Sequence, residues 1–121
     1  FVCHKSLLLY KNAKVKSKIG IIIDIYMKGY IVSVYEKIEQ DEALKNYALK
    51  AKEAVEKYNG KYIVRGGKKL TTEGKEFVRT AIIEFSSFDQ AKKFFYSEEY
   101  KRAHDLLKDT VVRHHQIIEG D

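Results

Sequence analysis

Tyr58-Asn59-Gly60-Lys61-Tyr62-Ile63-Val64-Arg65-Gly66-Gly67 is the stretch on which the fold turns. It joins three pieces in ten residues. Asn59-Gly60 tolerates positive φ, the usual chemistry of a helix C-terminus. Lys61 to Arg65 then has the length and β-branched content of a short strand. Gly66-Gly67 ends that strand and opens a polar loop reaching Gly74.

Upstream of the junction, the period is helical. Leu44, Tyr47, Ala48, Ala51, Val55 and Tyr58 recur at three- and four-residue steps, with Asp41 and Glu42 at the positive N-terminal end. Before that helix, Tyr30 to Tyr35 alternates as a strand that is apolar on both faces, so both faces need a cover. Downstream, Phe77 to Phe85 is a third strand. Val78, Thr80, Ile82 and Glu84 share one of its faces. Ser87 and Gln90 form a capping-box signature for a helix that buries Ala91, Phe94 and Phe95. Ser97 caps a second segment whose inner face is Tyr100, Ala103, Leu106 and Leu107. Val111 to Glu119 is the last strand. The order is β-α-β-β-α-β, the ferredoxin-like arrangement of α+β proteins, with a four-stranded antiparallel sheet and helices on one face. The second apolar face is expected to meet the same sheet of a second copy, giving a homodimer.

The 121 residues suffice for one core. The net charge of +6 is uneven. Residues 1–26 hold five lysines and one aspartate, a net of +4, whereas residues 27–121 hold 18 Lys/Arg against 16 Asp/Glu. Interspersed signs in the body indicate a solvated surface rather than a phosphate-binding stripe, so no nucleic-acid partner is expected. No apolar run approaches the roughly 20 residues of a membrane helix, and no membrane partner is expected. Cys3 is the single cysteine, which excludes an intrachain disulfide and a cysteine-built zinc site and is compatible with a cytoplasmic location.

Met27 is the single methionine and opens the first clear strand pattern. Residues 1–26 are expected to be an extension outside the domain, with Met27 as the natural start and residues 27–121 as the domain. The competing reading is an added strand from Ile19 to Tyr26.

The order and spacing of several blocks carry a resemblance. They are Gly60-Lys61-Tyr62-Ile63-Val64-Arg65-Gly66-Gly67, Glu84-Phe85, Phe95-Tyr96-Ser97-Glu98-Glu99-Tyr100 and Glu119-Gly120. From Met27 to Gly120 the chain resembles the small bacterial proteins of domain of unknown function 1330 (DUF1330), a branch of the dimeric α+β-barrel superfamily. The resemblance implies a ferredoxin-like dimer with a ligand cavity between sheet and helices. It implies no particular reaction.

Several residues are candidates for chemistry. Arg65, beside Gly66 and Gly67, is placed to bind a carboxylate or phosphate, although pairing with an in-sheet carboxylate such as Glu84 is the simpler reading. Tyr35, Tyr47 and Tyr100 are expected to line the cavity, Tyr47 and Tyr100 being part of the family pattern. Glu84, on an apolar strand face, must be paired or protonated and is a general-base candidate. Its alternative partners are Arg65, Arg79 and Arg113. His114 and His115 point to opposite faces, so one of them faces inward, and His114 is taken as the candidate. No metal site and no cofactor are expected. The functional reading is a small dimer binding an aromatic or anionic molecule, with a cofactor-independent monooxygenase- or isomerase-like enzyme as its catalytic form. The alternative is a non-enzymatic stress or assembly protein acting through its dimer surface. Peptide mapping of the native protein tests the start site: peptides are expected from Met27 onward, and any from residues 1–26 would overturn it.

Overall fold

The computed structural model describes residues 27–121, so both readings of residues 1–26 lie outside the described residues. Strand β1 (Gly29–Ile38) leads into helix α1 (Asp41–Lys57), followed by β2 (Lys61–Arg65) and β3 (Arg79–Phe85). Helices α2 (Phe88–Phe95) and α3 (Glu98–His104) come next, then a 3₁₀ turn (Asp105–Leu107) and β4 (Val111–Glu119). The sheet order is β2-β3-β1-β4, antiparallel throughout, as the ferredoxin-like pattern requires. β1 is therefore central, with β3 on one side and β4 on the other.

The junction at residues 58–60 behaves as its composition dictates. Asn59 takes φ 59°, and the Gly60 N–H donates to the Val55 carbonyl at 2.8 Å. Gly60 lies so close to Phe85 that a Cβ there would sit 2.6 Å from its ring. The helix end is thus pressed directly onto the inner face of β3. Ser87 and Ser97 both cap as expected, accepting from the N–H of Gln90 at 3.0 Å and of Tyr100 at 3.1 Å.

All three helices pack on one face of the sheet. Ile31, Ile83 and Phe85 rise from it to meet Ala51, Ala54 and Val55 of α1, Phe94 of α2, and Tyr100 and Ala103 of α3. The alanines let α1 lie close. Phe94 is fully buried, its ring centroid 5.0 Å from Phe85 and 4.7 Å from Tyr100. Leu106 departs from its expected place on the inner face and is 38% exposed. The 3₁₀ turn advances by three residues per turn rather than 3.6, which keeps Leu107 inside and swings Leu106 outward.

Among the described residues, no helix covers the opposite face of the sheet. Val32, Val34 and Ile82 are half-buried there, and Val112 and Ile118 are each 47% exposed.

Phe94→Ala is expected to cost about 3–5 kcal/mol in urea unfolding, since it empties the point where three elements meet. Ser97→Ala should cost about 1 kcal/mol through loss of the cap. A Phe94 variant within about 1 kcal/mol of the parent would contradict this account of the core.

Candidate functional site

Strand β4 carries two polar side chains, Arg113 and His115, on its helix-facing side, between Val111 and Ile117. Alternation of the strand puts both on that face and leaves His114 exposed on the open one. The inward histidine is therefore His115, which corrects the expectation of His114.

Register sets the surroundings of Arg113. It lies opposite Tyr35 of β1, and the inner faces of α1 and α3 bring Tyr47 and Tyr100 above it. Its Nη1 donates to the Tyr35 hydroxyl at 3.0 Å and to the Tyr47 hydroxyl at 3.4 Å, and its Nη2 donates to the Tyr100 hydroxyl at 3.0 Å. The Tyr47 and Tyr100 oxygens are 2.9 Å apart and share one proton between them. No ion pair joins Arg113 to a carboxylate among the described residues.

Arg113 has five N–H groups, of which three are engaged, leaving Nε–H and one hydrogen on Nη2. The three phenols bring three O–H protons, and the described residues accept only the one shared by Tyr47 and Tyr100. The cluster is rich in donors and poor in acceptors.

Burial holds the Tyr35 phenol above its ordinary pKa and the Tyr47 phenol further above it, with the neighbouring Tyr100 adding to the effect at Tyr47. Both stay neutral. Burial also works against the Arg113 cation, but the oxygens of Tyr47, Tyr100 and Tyr35 favour it more strongly, and its pKa lies above the usual arginine range. Among the described residues, this fixed positive charge is thus solvated by phenol dipoles and by no carboxylate.

Arg113 lines a pocket of about 600 Å³ together with Phe95, His104, Leu107, Val111 and His115. Asp105, Lys108 and Asp109 complete its rim. The His115 ring lies nearly parallel to Tyr100, centroids 6.3 Å apart, and 5.7 Å from Phe95. Burial, with Arg113 nearby, pushes the His115 pKa down to about 3. His104 is shifted the same way, again chiefly by burial.

The other sequence candidates lie elsewhere. Glu84 is on the open face, where it accepts from the Tyr30 hydroxyl at 3.2 Å. Its expected pairing with an arginine does not form, because Arg65, Arg79 and Arg113 belong to the helix-facing rows of their strands. Arg65 is exposed, with its guanidinium 4.3 Å from the centre of the Tyr62 ring. Gly66 and Gly67 adopt positive φ, 75° and 94°, at the far edge of the sheet from the Arg113 pocket. The structure therefore gathers Tyr35, Tyr47 and Tyr100 around Arg113 and separates them from Glu84, His114 and Arg65. The signal for Arg113 was present in the sequence as an ionisable residue at an inward position of an apolar strand, Val111-x-Arg113-x-His115-x-Ile117.

The DUF1330 family model matches residues 28–121, nearly the whole described region. This chain belongs to the DUF1330 family. Solved structures agree on the fold. A protein of unknown function from Rhodopseudomonas palustris, RPA0582, superposes with a TM-score of 0.60 at 15% identity, covering 76% of this chain and 79% of that one. An antibiotic biosynthesis monooxygenase, so assigned provisionally, from Caulobacter crescentus CB15 gives 0.54 at 18% identity, covering 78% and 88%. A mutant of SnoaB, a cofactor-independent oxygenase from Streptomyces nogalater, gives 0.50 at 10% identity, covering 76% and 90%. At these identities the likeness is one of fold. No curated protein matches the chain.

Two outcomes follow for this DUF1330 site. His115 is neutral when folded and takes up a proton when unfolded near the ordinary histidine pKa of about 6.5, so its contribution to stability is complete above that pH and declines below it toward pH 3. Between pH 7 and pH 5 this removes about 2 kcal/mol of unfolding free energy at most, and His115→Gln should flatten most of that slope in urea titrations. Arg113→Met should leave stability unchanged or raise it by about 1 kcal/mol, because a half-buried charge with no carboxylate partner among the described residues is replaced by apolar volume. A loss of several kcal/mol would mean that the cluster is structural.

Proposed function

We propose that this DUF1330 protein binds a small anionic molecule with an aromatic or other flat apolar part in the pocket between β4, α2 and the 3₁₀ turn, with Arg113 as its anchor. The supporting observation is the surplus of donors around a half-buried guanidinium that has no carboxylate partner among the described residues. The two remaining Arg113 hydrogens are enough for a two-point contact with a carboxylate or an enolate oxygen pair. Phe95 and His115 supply flat surfaces for the apolar part. A neutral His115 offers a ring nitrogen as acceptor in the same pocket.

The catalytic form of this reading is a cofactor-independent reaction of the monooxygenase or isomerase class. Two fold neighbours are described as an oxygenase and a provisional monooxygenase, and the pocket combines a neutral imidazole with a fixed cation. Arg113 would hold the anion that develops, while His115, whose burial and cationic neighbours make it a weak base, would accept a hydrogen bond from the ligand and keep its orientation. The open sheet face supports a second element of the proposal, a homodimer packed through Val32, Val34, Ile82, Val112 and Ile118. Were the pocket to bind nothing, that surface would be the functional feature that remains.

Calorimetric titration with benzoate tests the pocket. Saturable binding is expected, weakened at least tenfold in Arg113→Met, the loss of a charge-assisted contact. Equal binding by parent and variant would remove Arg113 as the anchor. Native mass spectrometry should show a dimer that Ile82→Lys with Ile118→Lys converts to monomer, and a monomeric parent would remove the dimer.

A further inference from the structure

A second pocket lies at the other edge of the sheet, and it shares no lining residue with the Arg113 pocket. Its volume is about 310 Å³. Its aliphatic lining comes from Ile38, Leu44, Val64 and Val78. Its polar lining comes from Arg79, Lys68, Lys69 and Thr80 with the Gly66-Gly67 turn. Among the described residues, no acidic side chain lines it.

The turn explains where the charge sits. Arg79 is half-buried, and its Nη1 lies 2.5 Å from the point a Cβ on Gly66 would occupy. Gly66 is therefore the seat of the Arg79 guanidinium. Its φ of 75° adds a second reason for glycine. No described residue lies within 4 Å of the Cβ position of Gly67, so among the described residues nothing blocks an incoming group from that backbone. Lys69 is engaged with Glu76 at 2.8 Å. Arg79 and Lys68 have no ion pair among the described residues.

We infer that this pocket is a second ligand site, which takes an aliphatic carboxylate with its charged end against Arg79 and Lys68 and its chain along Ile38, Leu44, Val64 and Val78. Two features select that class. A partly buried guanidinium next to a glycine turn accepts a carboxylate in a two-point contact. The aliphatic wall rewards a saturated chain and offers no aromatic face to stack on. The site depends on Arg79 rather than on Arg65, which stacks on Tyr62 instead.

Hexanoate, titrated into the ¹⁵N-labelled full chain at constant ionic strength, is the test. Saturable shifts are expected at the Gly66 and Gly67 amides and the Arg79 Nε–H. Arg79→Met should weaken binding at least tenfold. Gly66→Ala should weaken it comparably by displacing the guanidinium. Arg113→Met should leave it unchanged, which separates this site from the one proposed above. Hexanol, which keeps the chain and lacks the charge, should bind at least tenfold more weakly than hexanoate, a comparison that needs no variant to fold. Inorganic phosphate binding as tightly as hexanoate would overturn the aliphatic assignment. Linear, unsaturable shifts matched by chloride would mean an adventitious ion only, and shifts lost in Arg113→Met would mean that hexanoate reads the other pocket; either result overturns the second site.

Discussion

A guanidinium half-buried between a core and a pocket loses part of its water and must be solvated by something else, and in this protein three phenol oxygens do it. Arg113 is held by Tyr35, Tyr47 and Tyr100, one each from β1, α1 and α3. Four elements therefore meet at one charge. Phenols solvate a cation without neutralising it, which a carboxylate would do. The positive charge survives at the pocket wall, and the case for an anionic occupant rests on that choice of partner.

The sheet divides the molecule into two chemical environments. On the helix-facing side, the end of β1 at Tyr35 lies between Arg79 of β3 and Arg113 of β4. Each arginine faces its own pocket, one with aromatic walls and one with aliphatic walls. On the open side, polar groups that include Thr80, Glu84, His114, Gln116 and the Tyr30 hydroxyl lie among valines and isoleucines. That side has the character of a contact surface. The two environments are separated by the alternation of strand side chains alone.

Much of the fold was legible because local signals agreed. Asn59-Gly60, the two serine caps and the strand alternation each act within a few residues, and each formed as its chemistry requires. The misplacement of Leu106 has the same scale: a helical period was extended by one turn into a 3₁₀ segment. The site was legible only in part. Tyr35, Tyr47 and Tyr100 stood out by their inner-face positions. Arg113 did not stand out as an anchor, because Glu84 on its apolar strand face called for a basic partner and Arg113 was one of three that could serve. The Gly66-Gly67 turn drew attention to Arg65, its neighbour in sequence. Its neighbour in space is Arg79, brought there by the β2–β3 pairing.

The sequence by itself determined the order of elements, their caps, the positions of the glycines and the two-sided apolar character of the sheet, since these depend on backbone preferences and on periods of two and 3.6 residues. Tertiary structure decided which charge met which oxygen. The face on which Glu84 and Arg113 lie depends on strand phase, and their partners depend on register between strands far apart in the chain. A one-residue difference in phase would have moved Arg113 to the open face and put His114 in the pocket. Such a contact is set by the packing of several elements together, and no local stretch of residues encodes it.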